Sequence, residues 1–128
     1  MAIHIVQLGS PRSRDEGIRV GTVRRPPRGV PKERFSTDGW YDVWLPQLAP
    51  SPDLVKAGQN AETEEDWKAF TRKYRREMSA ADNSRLLDLL AALSQDSSLS
   101  VGCYCENESR CHRSVLRELL QEAGASAV

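Results

Sequence analysis

Cys103, Cys105, Cys111 and His112 fall within ten consecutive positions, and the chain has no other cysteine. Thiolate and imidazole are the donors zinc prefers, so these four residues are a candidate metal set. Their spacing, C-x-C-x5-C-H, matches no familiar zinc finger, and two adjacent residues on one helix aim their side chains about 100° apart. A second chemistry is nucleophilic. First-turn N–H groups of a helix lack intrahelical partners and carry the positive end of the dipole, which favours a thiolate. With His112 and Arg113 beside it, Cys111 is a candidate reactive thiol, as is Cys105, and either could serve a redox sensor. The third possibility is packing. Cys103 and Cys105 suit a sheet–helix interface as small apolar residues, and His112 shares a helical face with Val115, Leu116 and Leu119. A phosphatase loop is excluded, because it needs five residues between Cys and Arg; Cys103 to Arg110 has six and Cys105 to Arg110 has four.

Arg113 adds a charge argument. A cation near a helix N-terminus is unfavourable unless an anion answers it, and Arg113 and Ser114 are predicted to point away from the apolar face. Glu106, Glu108 or a bound phosphate-like anion are the candidate partners.

The elements that hold these residues can be read from periodicity. Leu99, Val101, Cys103 and Cys105 alternate with Ser100, Gly102, Tyr104 and Glu106, which predicts a strand over 99–105. Val115, Leu116, Leu119 and Leu120 recur at helical steps, predicting a helix from 111 or 112, capped by Ser109 or Asn107. Ala2 to Leu8 is a nearly continuous apolar run suited to a strand buried on both faces. Ile18 to Val23 predicts a shorter strand, interrupted by Arg19 and Thr22. Arg24 to Lys32 contains three prolines, which exclude helix and central strand and stiffen a loop that carries arginines. Trp40 and Trp44 stand at helical spacing and suit a lid on the core. Ser51 with Pro52 begins a short helix that Gly58 ends. Thr63 to Asp66 resembles a capping box opening a helix with Trp67, Phe70, Tyr74 and Met78 inward. A further helix begins at Asp82 or Ser84, carries Leu86 to Leu93 and stops at Ser94 to Ser98.

This order predicts one α/β domain over residues 1–128, with a small, mostly parallel sheet flanked by helices in two or three layers. The first strand and the 99–105 strand are expected to be neighbours, and ligands of such sheets bind beyond the strands' carboxyl ends. No apolar run of membrane-spanning length and no signal-like segment is present, and three clustered cysteines do not suit a secreted disulfide framework; a soluble, cytoplasmic protein is expected. Net charge is zero, but residues 1–36 hold eight Arg/Lys against three Asp/Glu. That basic segment could meet an anionic ligand or a nucleic-acid backbone, or simply form a solvated loop.

The C-terminal CYCENESRCHRSVLRELL resembles the Cys-His-Arg-Ser end of the DUF-488 (domain of unknown function) family. EGIRVGTVRRPPRGVPKE, followed by DVWLPQLAPSPDL and DWKAFTRKYRREM, is similar to its YeaO-like branch. The resemblance implies a compact α/β domain and supplies no reaction, substrate or cofactor. It points to Pro27, Arg28 and Gly29, to Ala49-Pro50-Ser51, and to Cys111, His112, Arg113 and Ser114. Val23-Arg24-Arg25-Pro26 departs from the acid and tryptophan usual in that branch.

Together these observations predict that the 24–32 loop and the 105–114 junction converge in an anion-accepting pocket for a small phosphate-, sulfate- or carboxylate-bearing molecule. Arg25, Arg28, Arg113 and Ser114 would bind it, with Cys111 and His112 as candidate reactive groups. A nucleic-acid- or protein-binding module built on the basic segment is the alternative from a different class, and a metal or thiol redox sensor is the third.

Overall fold

A computed structural model describes residues 2–128. Four parallel strands form one sheet in the order β1-β4-β2-β3: β1 (Ile3–Gln7), β2 (Ile18–Gly21), β3 (Val43–Trp44) and β4 (Leu99–Cys103). β4 is central. It pairs with β1 from Ile3↔Leu99 to Gln7↔Cys103, and with β2 from Ile18↔Leu99 to Gly21↔Gly102. The predicted neighbours therefore are neighbours, and the fold is α/β. Beyond β1, the C-terminal residues run parallel along the edge: Ile3 N–H donates to Ser126 O (2.8 Å), Val128 N–H to Ile3 O (2.9 Å) and Ile5 N–H to Val128 O (2.8 Å).

Four helices follow β3: α1 (Pro52–Gln59), α2 (Glu64–Met78), α3 (Ala81–Leu93) and, after β4, α4 (His112–Glu122). Strand side chains alternate, so Ile3, Val20, Leu99 and Val101 face the helices and join Leu54, Phe70, Tyr74, Leu87, Leu90 and Leu116 in the main core. The opposite face presents Arg19, Gly21, Ser100 and Gly102. Loops cover it.

Arg19 organises that second face. It is fully buried, its Nε donates to Glu16 (2.5 Å), and its remaining N–H groups reach the carbonyls of Ser10 (2.8 Å), Pro11 (3.2 Å) and Gly39 (2.5 Å). A charge so enclosed is tolerable because it is both paired and hydrogen-bonded. Other arginines of the basic segment are also engaged: Arg12 with Asp42, Arg34 with Asp38, and Arg24 with the carbonyls of Ala49 and Pro50. Arg14, Arg25, Arg28 and Lys32 are exposed.

The capping box forms as expected, Thr63 Oγ1 accepting from Asp66 N–H (3.1 Å) and the Asp66 carboxylate from Thr63 N–H. Several boundaries differ from expectation. β1 is only half-buried beyond Ile3 because it lies next to the sheet edge. Ser51 stands at the α1 N-cap with Pro52 after it, as expected, but makes no side-chain cap bond; its hydroxyl and N–H donate to the Glu77 carboxylate (2.5 and 2.9 Å), which ties α1 to α2. α3 begins at Ala81, ahead of Asp82. Trp40 and Trp44 share no helix: Trp44 lies in β3, its indole N–H on Val23 O (2.7 Å). Among the described residues no helix is long and apolar enough to cross a membrane.

Candidate functional site

The cysteines lie where the carboxyl end of β4 meets the start of α4. The strand ends at Cys103, the chain bends at Tyr104, and Cys105 is exposed. A short 3-10 turn, Glu108–Arg110, follows. Asn107 caps this turn, its side-chain oxygen accepting from Ser109 N–H (3.1 Å) and Oγ (2.7 Å). The residue at the α4 N-cap is Cys111, not Asn107 or Ser109. The intervening turn separates the two caps.

That position matters for geometry. Cys111 is extended (φ −127°, ψ 151°) and only His112 is helical, so the 100° divergence expected of two adjacent helical residues does not apply. Cys111 Sγ lies 3.7 Å from His112 Nδ1, and Cys103 Sγ lies 3.8 Å from Cys105 Sγ. The Cys103, Cys111 and His112 donor atoms all fall within 4.8 Å of one another, and all three residues are buried.

Thr22, just beyond β2, sets the histidine. His112 Nε2 is 2.8 Å from Thr22 O and 3.2 Å from Thr22 Oγ1, while that hydroxyl donates to Gly102 O (2.9 Å). A carbonyl only accepts, so Nε2 carries a proton, and the neutral ring then presents the Nδ1 lone pair towards Cys111. Tyr74 packs edge-on against the imidazole at 5.5 Å and donates to Leu48 O (2.6 Å).

Cys103 and Cys111 share an apolar cluster with Leu8, Val23 and Tyr41. Hydrogen bonding from Cys103 and Cys105 pulls the Cys111 thiol well below its ordinary pKa despite burial. Its hydrogen bonds to Cys105 and Cys111, together with burial, push Cys103 upwards.

Arg113 does not point away from the core. It is 3% exposed, and its guanidinium donates to Cys105 O (2.5 Å), pinning the bend that carries the exposed thiol. Glu108 does not answer it; that carboxylate pairs with Arg117 (2.8 and 2.9 Å). Arg113 Nε and Tyr41 Oη are the buried side-chain polar atoms without a hydrogen-bond partner among the described residues. Ser114 Oγ bonds Cys111 O (3.0 Å). Arg25 meets the junction through its backbone, where its carbonyl accepts from Tyr104 Oη (2.8 Å); the Arg25 and Arg28 side chains are exposed, and Pro27 is buried.

Thr22, Tyr41, Tyr74 and Tyr104 were not singled out as site residues by sequence reasoning. Thr22 did leave a signal, as a polar residue interrupting an apolar strand.

A family model described as "Active DUF488-N3 subclade" matches residues 3–124. The chain belongs to the DUF488 family. Searches of curated proteins and of solved structures gave no match to this DUF488 chain.

Proposed function

We propose that this DUF488 protein binds a soft, thiolate-preferring divalent cation such as zinc through Cys103, Cys111 and His112, with Cys105 as the exposed fourth ligand. The observation that carries the reading is the Nε2–H···O=C bond from His112 to Thr22, which presents Nδ1 to a buried pair of sulfurs. Metal-bound histidines characteristically donate their other ring nitrogen in this way. The two short separations also suit a tetrahedral ion, whose S–S and S–N edges are about 3.8 and about 3.6 Å at ordinary zinc bond lengths. The matched subclade is described as active; a centre with one exchangeable ligand suits that description.

The test is titration of metal-free, reduced protein with cobalt and then zinc. The expected result is stoichiometric uptake, with thiolate-to-cobalt charge transfer and the strong visible bands of a tetrahedral site. Cys111→Ser and His112→Gln should each weaken binding by about tenfold or more. Absence of cobalt bands in folded, reduced protein overturns the reading.

An anion-accepting site at the same junction is favoured by one observation, the unpartnered Nε of buried Arg113. Its ligand class is phosphate, sulfate or carboxylate. On that reading, low-millimolar phosphate or sulfate raises the melting temperature of the metal-free protein above chloride at equal ionic strength; an unchanged temperature retires it.

A further inference from the structure

We infer that Cys105 is an oxidation site, at which a hydroperoxide drives formation of a Cys103–Cys105 disulfide and so expels the bound cation. The expulsion step rests on the cation reading above; the oxidation step does not. Three features of the junction converge on Cys105. It is the exposed thiol of the three, whereas Cys103 and Cys111 are 7% and 3% exposed, so a dissolved oxidant meets it first. Its backbone is held by the Arg113 guanidinium, whose Nε–H is buried and unpartnered beside it. Its resolving partner is already in place, Cys103 Sγ standing 3.8 Å away across the bend at Tyr104.

The chemistry balances with the peroxide as the only co-reactant. The Cys105 sulfur attacks the distal peroxide oxygen, the O–O bond breaks, and the departing alkoxide leaves as an alcohol by taking a proton, from solvent where Cys105 is a cation-bound thiolate and from the thiol itself in the metal-free chain. Cys105 is then a sulfenic acid. The Cys103 sulfur attacks that sulfur, the S–O bond breaks, and the hydroxide leaves as water by taking a proton, from solvent in the cation-loaded protein and from the Cys103 thiol in the metal-free chain. Two thiols have lost two electrons and the peroxide has gained them. Closing the pair from 3.8 Å to a bond of about 2.05 Å needs movement in the segment that follows Cys105. Residues 105–107 are exposed, so the Cys105 side chain can turn towards Cys103 while Arg113 keeps its hold on the Cys105 carbonyl.

The consequence follows from ligand count. A disulfide sulfur is a poor donor to zinc, so oxidation removes two of four ligands and leaves Cys111 and His112, too few to hold the ion. The pair that stays is the buried one, still oriented by Thr22, so reduction restores a preset site.

The test uses zinc-loaded protein treated with hydrogen peroxide, with released zinc followed by a chromogenic chelator, thiols by Ellman's reagent and the disulfide by peptide mapping. Expected are one zinc released and two thiols lost per chain, a mapped Cys103–Cys105 disulfide, and recovery on adding dithiothreitol and zinc. Cys105→Ser should slow thiol loss by at least about tenfold, because the remaining cysteines are buried. A disulfide mapped to Cys103–Cys111, unchanged thiols, or a Cys105→Ser variant that reacts as fast as the parent overturns the inference. Failure of the cation reading shows separately, as no zinc in the untreated protein. The metal-free chain then decides: the mapped Cys103–Cys105 disulfide upholds the oxidation site, and intact thiols overturn it.

Discussion

His112, on α4, owes its role to a carbonyl just beyond β2. Because Thr22 O accepts from Nε2, the imidazole turns Nδ1 towards Cys111, and the pair is oriented before any ligand arrives. Tyr41 is the counterexample. Its hydroxyl is buried without a partner, and burial alone raises its pKa. An unsatisfied buried donor costs about 1–3 kcal/mol, so Tyr41→Phe should stabilise the fold by about 1 kcal/mol, read as a higher urea midpoint at unchanged slope. A lower midpoint means the hydroxyl has a partner in solution. Cys103, Cys111 and His112 were legible by residue type alone. Arg113 was misplaced because helical-wheel reasoning gives a direction for the Cα–Cβ bond only, and a long guanidinium reached back to Cys105 O. Tyr41 and Tyr74 were invisible as site neighbours because nothing local in sequence brings them to residue 111.

Among the elements, those governed by their own sequence were legible. The Thr63 capping box, the apolar faces of α2 and α4, and the alternation in β4 each follow from local rules. β3 follows from none: two residues become a strand because Val20 and Gly21 of β2 present an unpaired edge to them. Ser51 occupies its predicted N-cap position, but its hydroxyl donates to the charged Glu77 carboxylate of α2 instead of accepting from an α1 N–H, a partner that nothing local in sequence announces. β2 also needs a missing side chain. A Cβ at Gly21 would stand 2.4 Å from Cδ2 of the Tyr41 ring, which backs the thiol cluster. Gly21→Ala is therefore expected to cost about 1–3 kcal/mol through overpacking and to weaken cobalt binding along with stability. Denaturation and cobalt titration of the same variant check this; full stability with full binding would show that the ring moves aside freely.

At the scale of the molecule, the basic N-terminal segment stabilises the fold through internal carboxylates. Burial raises the Glu16 carboxyl, but the Arg19 guanidinium and the Ser13 N–H outweigh it and hold it below its usual value. Asp42 is likewise raised by burial and pulled lower overall by Arg12, Ser36 and the Arg19 N–H. Groups with depressed folded pKa values contribute stability that is complete above the unfolded pKa and is lost as pH falls through the folded one. Stability should thus fall on the acid side from about pH 5 downwards. Glu16→Gln should lower it by about 3 kcal/mol at neutral pH, by stranding buried Arg19, and flatten the acid slope. Urea midpoints across that range test both, and an unchanged slope would assign the acid loss to other carboxylates. The order β1-β4-β2-β3 has a further consequence for synthesis. β4 starts at residue 99, so β1 has no β4 to pair with until β2, β3 and α1 to α3 have been made, and Cys103, Cys111 and His112 come only with β4 and after it. Sheet and thiol cluster are completed together, so a product truncated before β4 carries a first strand without its β4 partner and lacks the thiol cluster.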